Sequence, residues 1–198
     1  MARGRPRKTD PDAVLDKAAK LFWQQGFEGT SMNDLASATD MAKPGLYATF
    51  GDKEALYAKA LVRYFETTLP VFDEVFDYPG SLESFVRRYL ETVAEALTDK
   101  TTPRGCFIVN SMVDCANQPS LLETLGRDLH KKRRAAIARR FRGAQKLGEL
   151  PPDADPKALA EFFSGQALAL AVMARSGAGR KTLRQFIDVA MTALPNAS

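Results

Sequence analysis

Apolar residues recur every three or four positions along most of the chain, which is the spacing typical of amphipathic helices. Breaks rich in proline and glycine separate these segments, as at residues 78–80 and 148–156. The pattern predicts about nine helices, at about 10–25, two short ones within 31–50, then 52–76, 82–98, 106–116, 120–146, 157–175 and 181–194. No segment shows the alternation typical of a strand, so the sequence predicts an all-α protein.

The segment TSMNDLASATDMAKPGLYATFGDKEALY, residues 30–57, predicts two short helices joined by a tight turn and closely followed by a third. Ser31 and Asp34 have the spacing of a capping box, and Thr30 can also cap. Pro44 falls in the first turn of the second helix, where its missing N–H costs little. Short helix, turn and short helix form the helix-turn-helix, whose second helix enters the major groove of DNA.

The side chains that can face outward from the second short helix indicate which contacts this protein would make with DNA bases and phosphates. Lys43 suits the O6 and N7 atoms of guanine, Gly45 permits a close backbone approach, and Pro44 can touch thymine methyl groups. Phosphates need charge or hydrogen-bond donors, which fix the register on the duplex. The residues able to supply such contacts are Thr30, Ser31, Tyr47, Thr49 and Lys53. The alternatives are that Tyr47 packs against its own domain and that Lys53 is a solvated lysine at a helix end.

The first eight residues, MARGRPRK, contain four basic side chains and no acid. Basic blocks of this kind often act as nucleic-acid arms, and the alternative is a solvated tail without a role. The order Arg3-Gly4-Arg5-Pro6 resembles the core of an AT-hook, in which Arg3 and Arg5 would lie in a narrow A·T minor groove. We expect deletion of this arm to weaken DNA binding and to flatten its salt dependence.

Three motifs, in this order and at this spacing, resemble the TetR family of bacterial transcriptional regulators. They are the helix start TSM-x-DLA, the recognition helix K-x-x-LY-x-x-F and the GDKEALY that opens the next helix. The resemblance is strongest over residues 9–68. In this family the positions that match Lys43, Tyr47 and Lys53 commonly touch DNA, so the resemblance implies that role here.

Three positions depart from the usual pattern of the family. Ala42 stands where a serine or threonine often caps the recognition helix, and Thr49 stands where an aromatic residue often contacts phosphate. Asp40 stands where glycine is usual in the turn, although aspartate tolerates a positive φ better than most residues. These changes leave the fold prediction intact, but they argue against transferring an operator sequence from a relative.

The resemblance divides the chain into a basic arm at 1–8, a DNA-binding domain at 9–68 with its helix-turn-helix at about 31–50, and a larger helical ligand-binding and dimerisation domain at 69–198. It implies a homodimer in which the last two long helices pair as a four-helix bundle. Two DNA-binding domains held in this way require a roughly palindromic double-stranded operator. The small residues of the eighth predicted helix and the apolar stripe of the ninth would also suit the core of a monomer.

The resemblance further implies a pocket for a small-molecule effector of apolar or aromatic character, framed by the fourth to eighth predicted helices. Candidate contacts are Phe65, Tyr89, Cys106, Asn110, Met112, Phe162 and Gln166. The apolar members of this set can equally belong to the core. The amides of Asn110 and Gln166, within apolar segments, need partners, which can be neighbouring backbone or a ligand.

Cys106 follows Arg104 and Gly105 at the start of the sixth predicted helix. A helix N-terminus and a nearby arginine favour the thiolate, so Cys106 is a candidate sensor of oxidants or electrophiles, with an inert buried thiol as the alternative. A disulfide to Cys115, nine residues along the same predicted helix, would be geometrically impossible unless that helix unwound. Two cysteines in all fit a reducing cytoplasm.

Composition excludes several other classes of protein. No run of eighteen apolar residues predicts a membrane span, and the basic N-terminus lacks the apolar segment of a secretory signal. The one histidine, His130, is expected on the surface, and no metal-ligand cluster, P-loop or nucleophile elbow occurs, so we predict neither an enzyme nor a cofactor or metal.

The seventh predicted helix is very basic, with cations at Lys131, Lys132, Arg133, Arg134, Arg139, Arg140 and Arg142. We expect a solvated face, the alternative being a docking surface for an acidic partner or flanking DNA. The leading functional hypothesis is a dimeric, ligand-responsive transcriptional repressor. The alternative from another class is an architectural DNA-binding protein without an effector.

Overall fold

The computed structural model describes residues 10–114 and 121–195, and this part of the chain forms nine α-helices and no strand. In chain order they are α1 (Pro11–Gln25), α2 (Met32–Thr39), α3 (Lys43–Phe50), α4 (Lys53–Phe76), α5 (Leu82–Leu97), α6 (Phe107–Asp114), α7 (Leu121–Lys146), α8 (Pro156–Arg175) and α9 (Arg180–Met191). The all-α prediction is confirmed. The last helix ends at Met191, three residues before the predicted end at Leu194.

Helices α1 to α3 and the start of α4 form a small domain, here called the head. Local caps fix its helix starts. Ser31 and Asp34 form both hydrogen bonds of the predicted capping box, at 3.2 and 2.9 Å. Asp40 takes the left-handed conformation in the turn, with φ 56° and ψ 28°, and its carboxylate accepts a hydrogen bond from Lys17 at 2.6 Å. The turn therefore tolerates aspartate where a glycine is usual in the family.

The helix α1 ends at a glycine with an unusual backbone conformation. Gly26 has the positive φ expected of a C-cap, 76°, but its ψ of 172° is extended rather than left-handed helical. Directly after it, the Phe27 ring stacks on Phe22 with a centroid distance of 6.4 Å.

The remaining helices, together with the rest of α4, form a larger domain that we call the body. Here α8 packs against α5, α7 and α9, and α5 also packs against α9. The 24-residue helix α4 runs without interruption through the predicted domain boundary at residue 68, so head and body share a helix.

Head and body also share one hydrophobic core. Tyr57, at the start of α4, packs edge-on against Phe22 of α1 at 4.8 Å and against Phe107 of α6 at 5.2 Å. These three rings are at most 1% exposed. A continuous aromatic contact therefore connects the two domains.

By length and composition alone, α8 could cross a membrane, and it is the one helix of the described residues that could. This is weak evidence, because a helix with two apolar sides in a water-soluble fold meets the same criterion. One side of α8, with Phe163 and Leu170, is buried in the core, whereas Phe162 and Val172 are exposed on the other.

Candidate nucleic-acid interface and ligand cavity

The helix α3 separates buried from exposed side chains as the sequence predicts. Leu46 and Phe50 are at most 4% exposed and anchor the helix in the core. Lys43, Pro44 and Thr49 are exposed, as is half of the Tyr47 side chain. Tyr47 therefore does not pack into the head. The exposed side of α3 offers a cation, an apolar ring and two hydroxyl groups, which is a chemistry suited to a DNA groove and its phosphates.

Gly45 contributes to the packing beneath this surface. It is half-buried, and a Cβ atom added to it would lie 3.2 Å from Cγ of Met41. The absence of a side chain thus makes room for Met41 in the turn. A close approach of the Gly45 backbone to DNA stays a prediction.

Two predicted phosphate contacts already have partners within the head. Thr30 is 1% exposed and its hydroxyl donates to the Gly26 carbonyl at 2.7 Å, so the proposed donation from Thr30 to phosphate does not fit this structure. The Ser31 hydroxyl is exposed, but it donates to the Asp34 carboxylate at 2.6 Å. Burial accounts for the correction at Thr30, whereas Ser31 would have to exchange its acceptor.

Lys53 holds the start of α4 against the loop that joins α1 to α2. Its Nζ donates to the carbonyls of Phe27 and Thr30 at 3.0 and 3.2 Å and lies 4.1 Å from the centroid of the Phe27 ring. Lys53 is therefore not the simple solvated lysine of the alternative interpretation. An ammonium has three donors, so a phosphate contact through the third stays a prediction. Arg3 and Arg5 of the predicted arm lie outside the described residues.

The body contains a cavity of about 60 Å³ between α4, α5, α6, α7 and α8, here called the inner cavity. Its position between the fourth and eighth helices agrees with the prediction. Its walls are formed by Tyr64, Thr68, Phe72, Tyr89, Val93, Ala96, Leu97, Cys106, Val109, His130, Arg133, Ala167, Leu168 and Ala171. Tyr89 and Cys106, two of the predicted ligand contacts, are among them.

Other predicted ligand contacts lie elsewhere. Phe162 is 40% exposed on the outer side of α8, because the buried position on this helix belongs to its neighbour Phe163. Asn110, Met112 and Gln166 do not line the inner cavity, and Phe65 is buried beside it. The amide nitrogen of Asn110 is buried without a hydrogen-bond partner among the described residues, so the predicted bond to neighbouring backbone is not made through this atom.

Two polar residues of the cavity wall were missed by the sequence analysis, which placed both on a solvated surface. His130 and Arg133 line the inner cavity instead. Burial, followed by the charges of Arg134 and Arg133, lowers the pKa of His130. A usable signal was present, because Ile137 and Phe141, at helical spacing after Arg133, are buried.

The other basic residues of α7 also include both exposed and partly buried side chains. Lys131, Lys132, Arg139 and Arg142 are exposed as expected. Arg140 is not, because its guanidinium pairs with Glu149 at 3.2 Å and donates to the Gly80 carbonyl at 2.9 Å.

Cys106 is 7% exposed and accepts a hydrogen bond from the Tyr64 hydroxyl at 3.7 Å. Burial, with the neighbouring thiol, raises the pKa of Tyr64, which therefore stays a neutral donor. A sensing role for Cys106 stays a prediction, and Cys115 lies outside the described residues. Among those residues, no group of three His, Cys, Asp or Glu side chains could hold a metal ion.

Two contacts connect the inner cavity and α8 to the head. The ring of Tyr64, in the cavity wall, packs edge-on against Trp23 of α1 at a centroid distance of 5.0 Å. At the end of α8, Arg175 donates to the carbonyls of Trp23 and Gln24 at 3.2 and 3.3 Å. Trp23 is therefore a core residue at the contact between the domains.

Comparison with known families identifies the chain. The model "Bacterial regulatory proteins, tetR family" matches residues 14–67, and "Tetracyclin repressor-like, C-terminal domain" matches residues 82–190, which is more than half of the chain. This protein belongs to the TetR family. The TetR match at the N-terminus covers the helix-turn-helix described above, and the second match covers α5 to α8 and most of α9.

Relatives that span the whole chain support the same assignment. The transcriptional repressor ComR of Escherichia coli (strain K12) is 34% identical, over 98% of this chain and 93% of ComR. The transcriptional regulator YezE of Bacillus subtilis (strain 168) is 31% identical, over 96% and 99% of the two chains. A solved structure of the TetR-family regulator CifR, a cysteine mutant complexed with 26-bp operator DNA, has a TM-score of 0.81 at 30% identity and covers 97% of this chain and 100% of CifR.

This TetR-family member is therefore a DNA-binding transcriptional regulator, and its similar proteins are regulators rather than enzymes. Regulators of the family act as dimers. Phe162, Val172 and Val189 expose apolar side chains on α8 and α9, the two helices that the family resemblance pairs between subunits. The repressors among the relatives favour a specific regulator over an architectural DNA-binding protein.

Proposed function

We propose that this protein is a cytoplasmic, dimeric repressor without enzymatic activity, released from a roughly palindromic operator when a small molecule enters the inner cavity. One observation carries the ligand response. Tyr64 belongs both to the wall of the cavity and to the contact with Trp23 of the head. A molecule that moves Tyr64 therefore acts directly on the helix that precedes the helix-turn-helix.

The size of the cavity supports this mechanism. A volume of about 60 Å³ has room for two water molecules at their share of the liquid, about 30 Å³ each. A larger molecule has to displace the wall, and Tyr64 and Phe72 of α4 belong to that wall. Since α4 begins in the head, its displacement changes the position of α3 relative to the partner's copy. Binding of ligand and of DNA are then coupled through two arrangements of the same helices.

Arg175 provides a second route between the domains. Its hydrogen bonds to the last carbonyls of α1 place a cation at the C-terminal end of the helix dipole. The same helix, α8, contributes Ala167 and Ala171 to the cavity wall. Displacement of α8 by a ligand would therefore move the end of α1 as well.

The first test is to map binding across the genome and to footprint the strongest site with purified protein. One or a few palindromic sites beside a promoter would support a specific regulator. Compounds from the pathway encoded beside that promoter are then titrated against the bound operator, and we expect at least one to release it. Many weak A·T-rich sites without a palindrome would contradict the proposal and favour an architectural protein.

The coupling itself is tested with Arg175→Gln, which removes the contacts between α8 and α1. We expect the variant to bind the operator but to need a higher ligand concentration for release. Arg142→Gln, at an exposed position on α7, is the matched control and should behave like the unaltered protein. An unchanged release curve for Arg175→Gln would remove Arg175 from the coupling route.

A further inference from the structure

Arg133 is the least expected side chain in the inner cavity. Its guanidinium carbon lies 4.1 Å from the centroid of the Phe72 ring and 5.9 Å from that of Phe65. The side chain thus leaves the exposed basic side of α7 and points between apolar helices. A guanidinium in such surroundings needs compensation by an anion or by hydrogen-bond acceptors.

The neighbouring arginines of α7 have that compensation. Arg134 pairs with Glu161 at 2.8 Å, and Arg140 pairs with Glu149 at 3.2 Å. Arg133 forms no ion pair with any described residue, and its Nη2 atom is buried without a hydrogen-bond partner there. The stacking on Phe72 is a cation–π contact, which satisfies the face of the guanidinium but none of its N–H groups.

The other polar groups around the cavity are complementary to an anion. None of the described residues that line it is acidic. Tyr89 is 2% exposed, and burial raises the pKa of its hydroxyl group to about 12, so this phenol stays protonated. His130 lies one helical turn before Arg133 on the same side of α7. Tyr89 and His130 can donate hydrogen bonds to a ligand, and no carboxylate among the described wall residues competes for the guanidinium.

The remaining wall determines what is attached to the anion. Apart from Thr68 and Cys106, it consists of aliphatic and aromatic side chains from four helices, including Phe72, Val93, Leu97, Val109 and Leu168. Pockets for larger ligands usually measure about 300–1,000 Å³. The present volume of about 60 Å³ therefore favours a compact molecule, and the wall has to open further to admit it.

We propose that the effector of this regulator is a compact monocarboxylate with an apolar body, and that Arg133 binds its carboxylate through the guanidinium fork while the apolar body takes the space beside Phe72. The proposal rests on the proposed function, because it names the chemical class of the molecule that fills the inner cavity. A planar fork matches a carboxylate with two parallel hydrogen bonds. Arg133 is the one arginine or lysine among the described wall residues, which suits a single negative charge better than the double charge of a phosphate monoester.

The chain contains its own reporter of cavity occupancy. Trp23 is its single tryptophan, and its ring touches Tyr64 of the cavity wall. Fluorescence of the full-length dimer can therefore be titrated with benzoate, 3-phenylpropionate and hexanoate, and with the corresponding primary amides. Each amide keeps the apolar body but lacks the charge. We expect the best acid to bind at least about tenfold more tightly than its amide, as loss of a charge-assisted pair predicts.

Arg133→Gln should abolish this preference, weakening the acid about tenfold or more and changing the amide less than about twofold. Arg133→Lys, which keeps the charge but lacks the planar guanidinium, should retain part of the preference for the acid. If Arg133→Gln does not fold, Arg133→Lys replaces it as the test of the site. Arg134→Gln is the matched control, because Arg134 pairs with Glu161 rather than lining the cavity. Phenyl phosphate and inorganic phosphate distinguish a carboxylate site from a phosphate site.

Several results would overturn the proposal. These are equal affinity for acid and amide, an undiminished preference in Arg133→Gln, tighter binding of phenyl phosphate than of benzoate, or no binding of any acid up to about 10 mM, where even weak sites begin to fill. Operator release is measured in parallel and separates the two proposals. Acids that bind through Arg133 without releasing DNA would contradict the ligand response alone, whereas release by neutral compounds without acid preference would contradict only the carboxylate site.

Discussion

The head and the body use basic side chains in opposite ways. On α3 of the head, Lys43 lies exposed beside the half-exposed ring of Tyr47, where a negatively charged duplex can reach both. In the body, the partly buried Arg133 turns inward and stacks on Phe72, and its guanidinium lines the inner cavity. A count of charges treats these side chains alike. What separates them is the burial of the helix face on which each lies.

The two regions nevertheless depend on one core, and the largest expected effect comes from breaking the link between them. Phe107 is 1% exposed and packs edge-on against Tyr57 and Tyr64. Phe107→Ala should cost about 3–5 kcal/mol of unfolding free energy, because it leaves a cavity between head and body. Denaturant unfolding at fixed protein concentration, followed by Trp23 fluorescence and by far-UV circular dichroism, measures this loss.

In the unaltered protein we expect both probes to report the same transition, and in Phe107→Ala we expect them to separate. Leu147→Ala removes a leucine that is 76% exposed and should leave the midpoint nearly unchanged. Coincident, unshifted transitions in Phe107→Ala would show that head and body do not depend on each other through this ring.

The next effect in size concerns the exposed side of α3. Lys43→Ala should weaken operator binding by about 1–3 kcal/mol and relax base preference at one position, as expected for a side chain that reads a base edge. Electrophoretic mobility shift against the footprinted operator and its single-base variants measures both effects. Lys146→Ala removes an exposed lysine of the body and is the matched control. Equal weakening on every sequence would instead identify Lys43 as a phosphate contact.

The contrast between the regions also explains how much the sequence could predict. The head follows from local signals, since a capping box, a proline at a helix start and a stripe of buried residues each operate within a few positions, as Ser31, Pro44 and Leu46 show. The inner cavity depends on contacts between distant segments. Arg133 meets Phe72, 61 residues away, and no short motif reports that distance.

Phe162 and Phe163 illustrate the same difference. Both are aromatic and adjacent, and the choice of which one faces the core depends on how α8 packs against α5 and α7. Phe162, the exposed residue, is the one named among the predicted ligand contacts. At His130 and Arg133, by contrast, the sequence did contain a signal. Ile137 and Phe141 follow Arg133 at helical spacing and indicate that this side of α7 faces the core, but the many charged residues of α7 favoured the prediction of a solvated face.

The smallest expected effect is at the capping box of α2. Asp34 accepts hydrogen bonds from the backbone and side chain of Ser31, which lower its pKa from the ordinary value of 3.8. Because the folded pKa lies below the unfolded one, the stabilising effect of Asp34 is present above about pH 3.8 and is lost as the pH falls through the folded pKa. Asp34→Asn should therefore lower the denaturant midpoint slightly at pH 7 and make the decline of stability on acidification less steep.

Ser31→Ala and the double variant complete the test of this local interaction. If the two side chains stabilise the helix start as a pair, the loss in the double variant is smaller than the sum of the two single losses. Ser31→Ala alone should also reduce the acid dependence, because the hydroxyl and its neighbouring N–H are what hold the pKa of Asp34 down. If the losses of unfolding free energy are additive and the decline of stability at low pH is unchanged, the two side chains order α2 without stabilising it as a pair. The start of the helix-turn-helix would then depend on the packing of Leu35 in the shared core, and the head would be less locally determined than its sequence suggests.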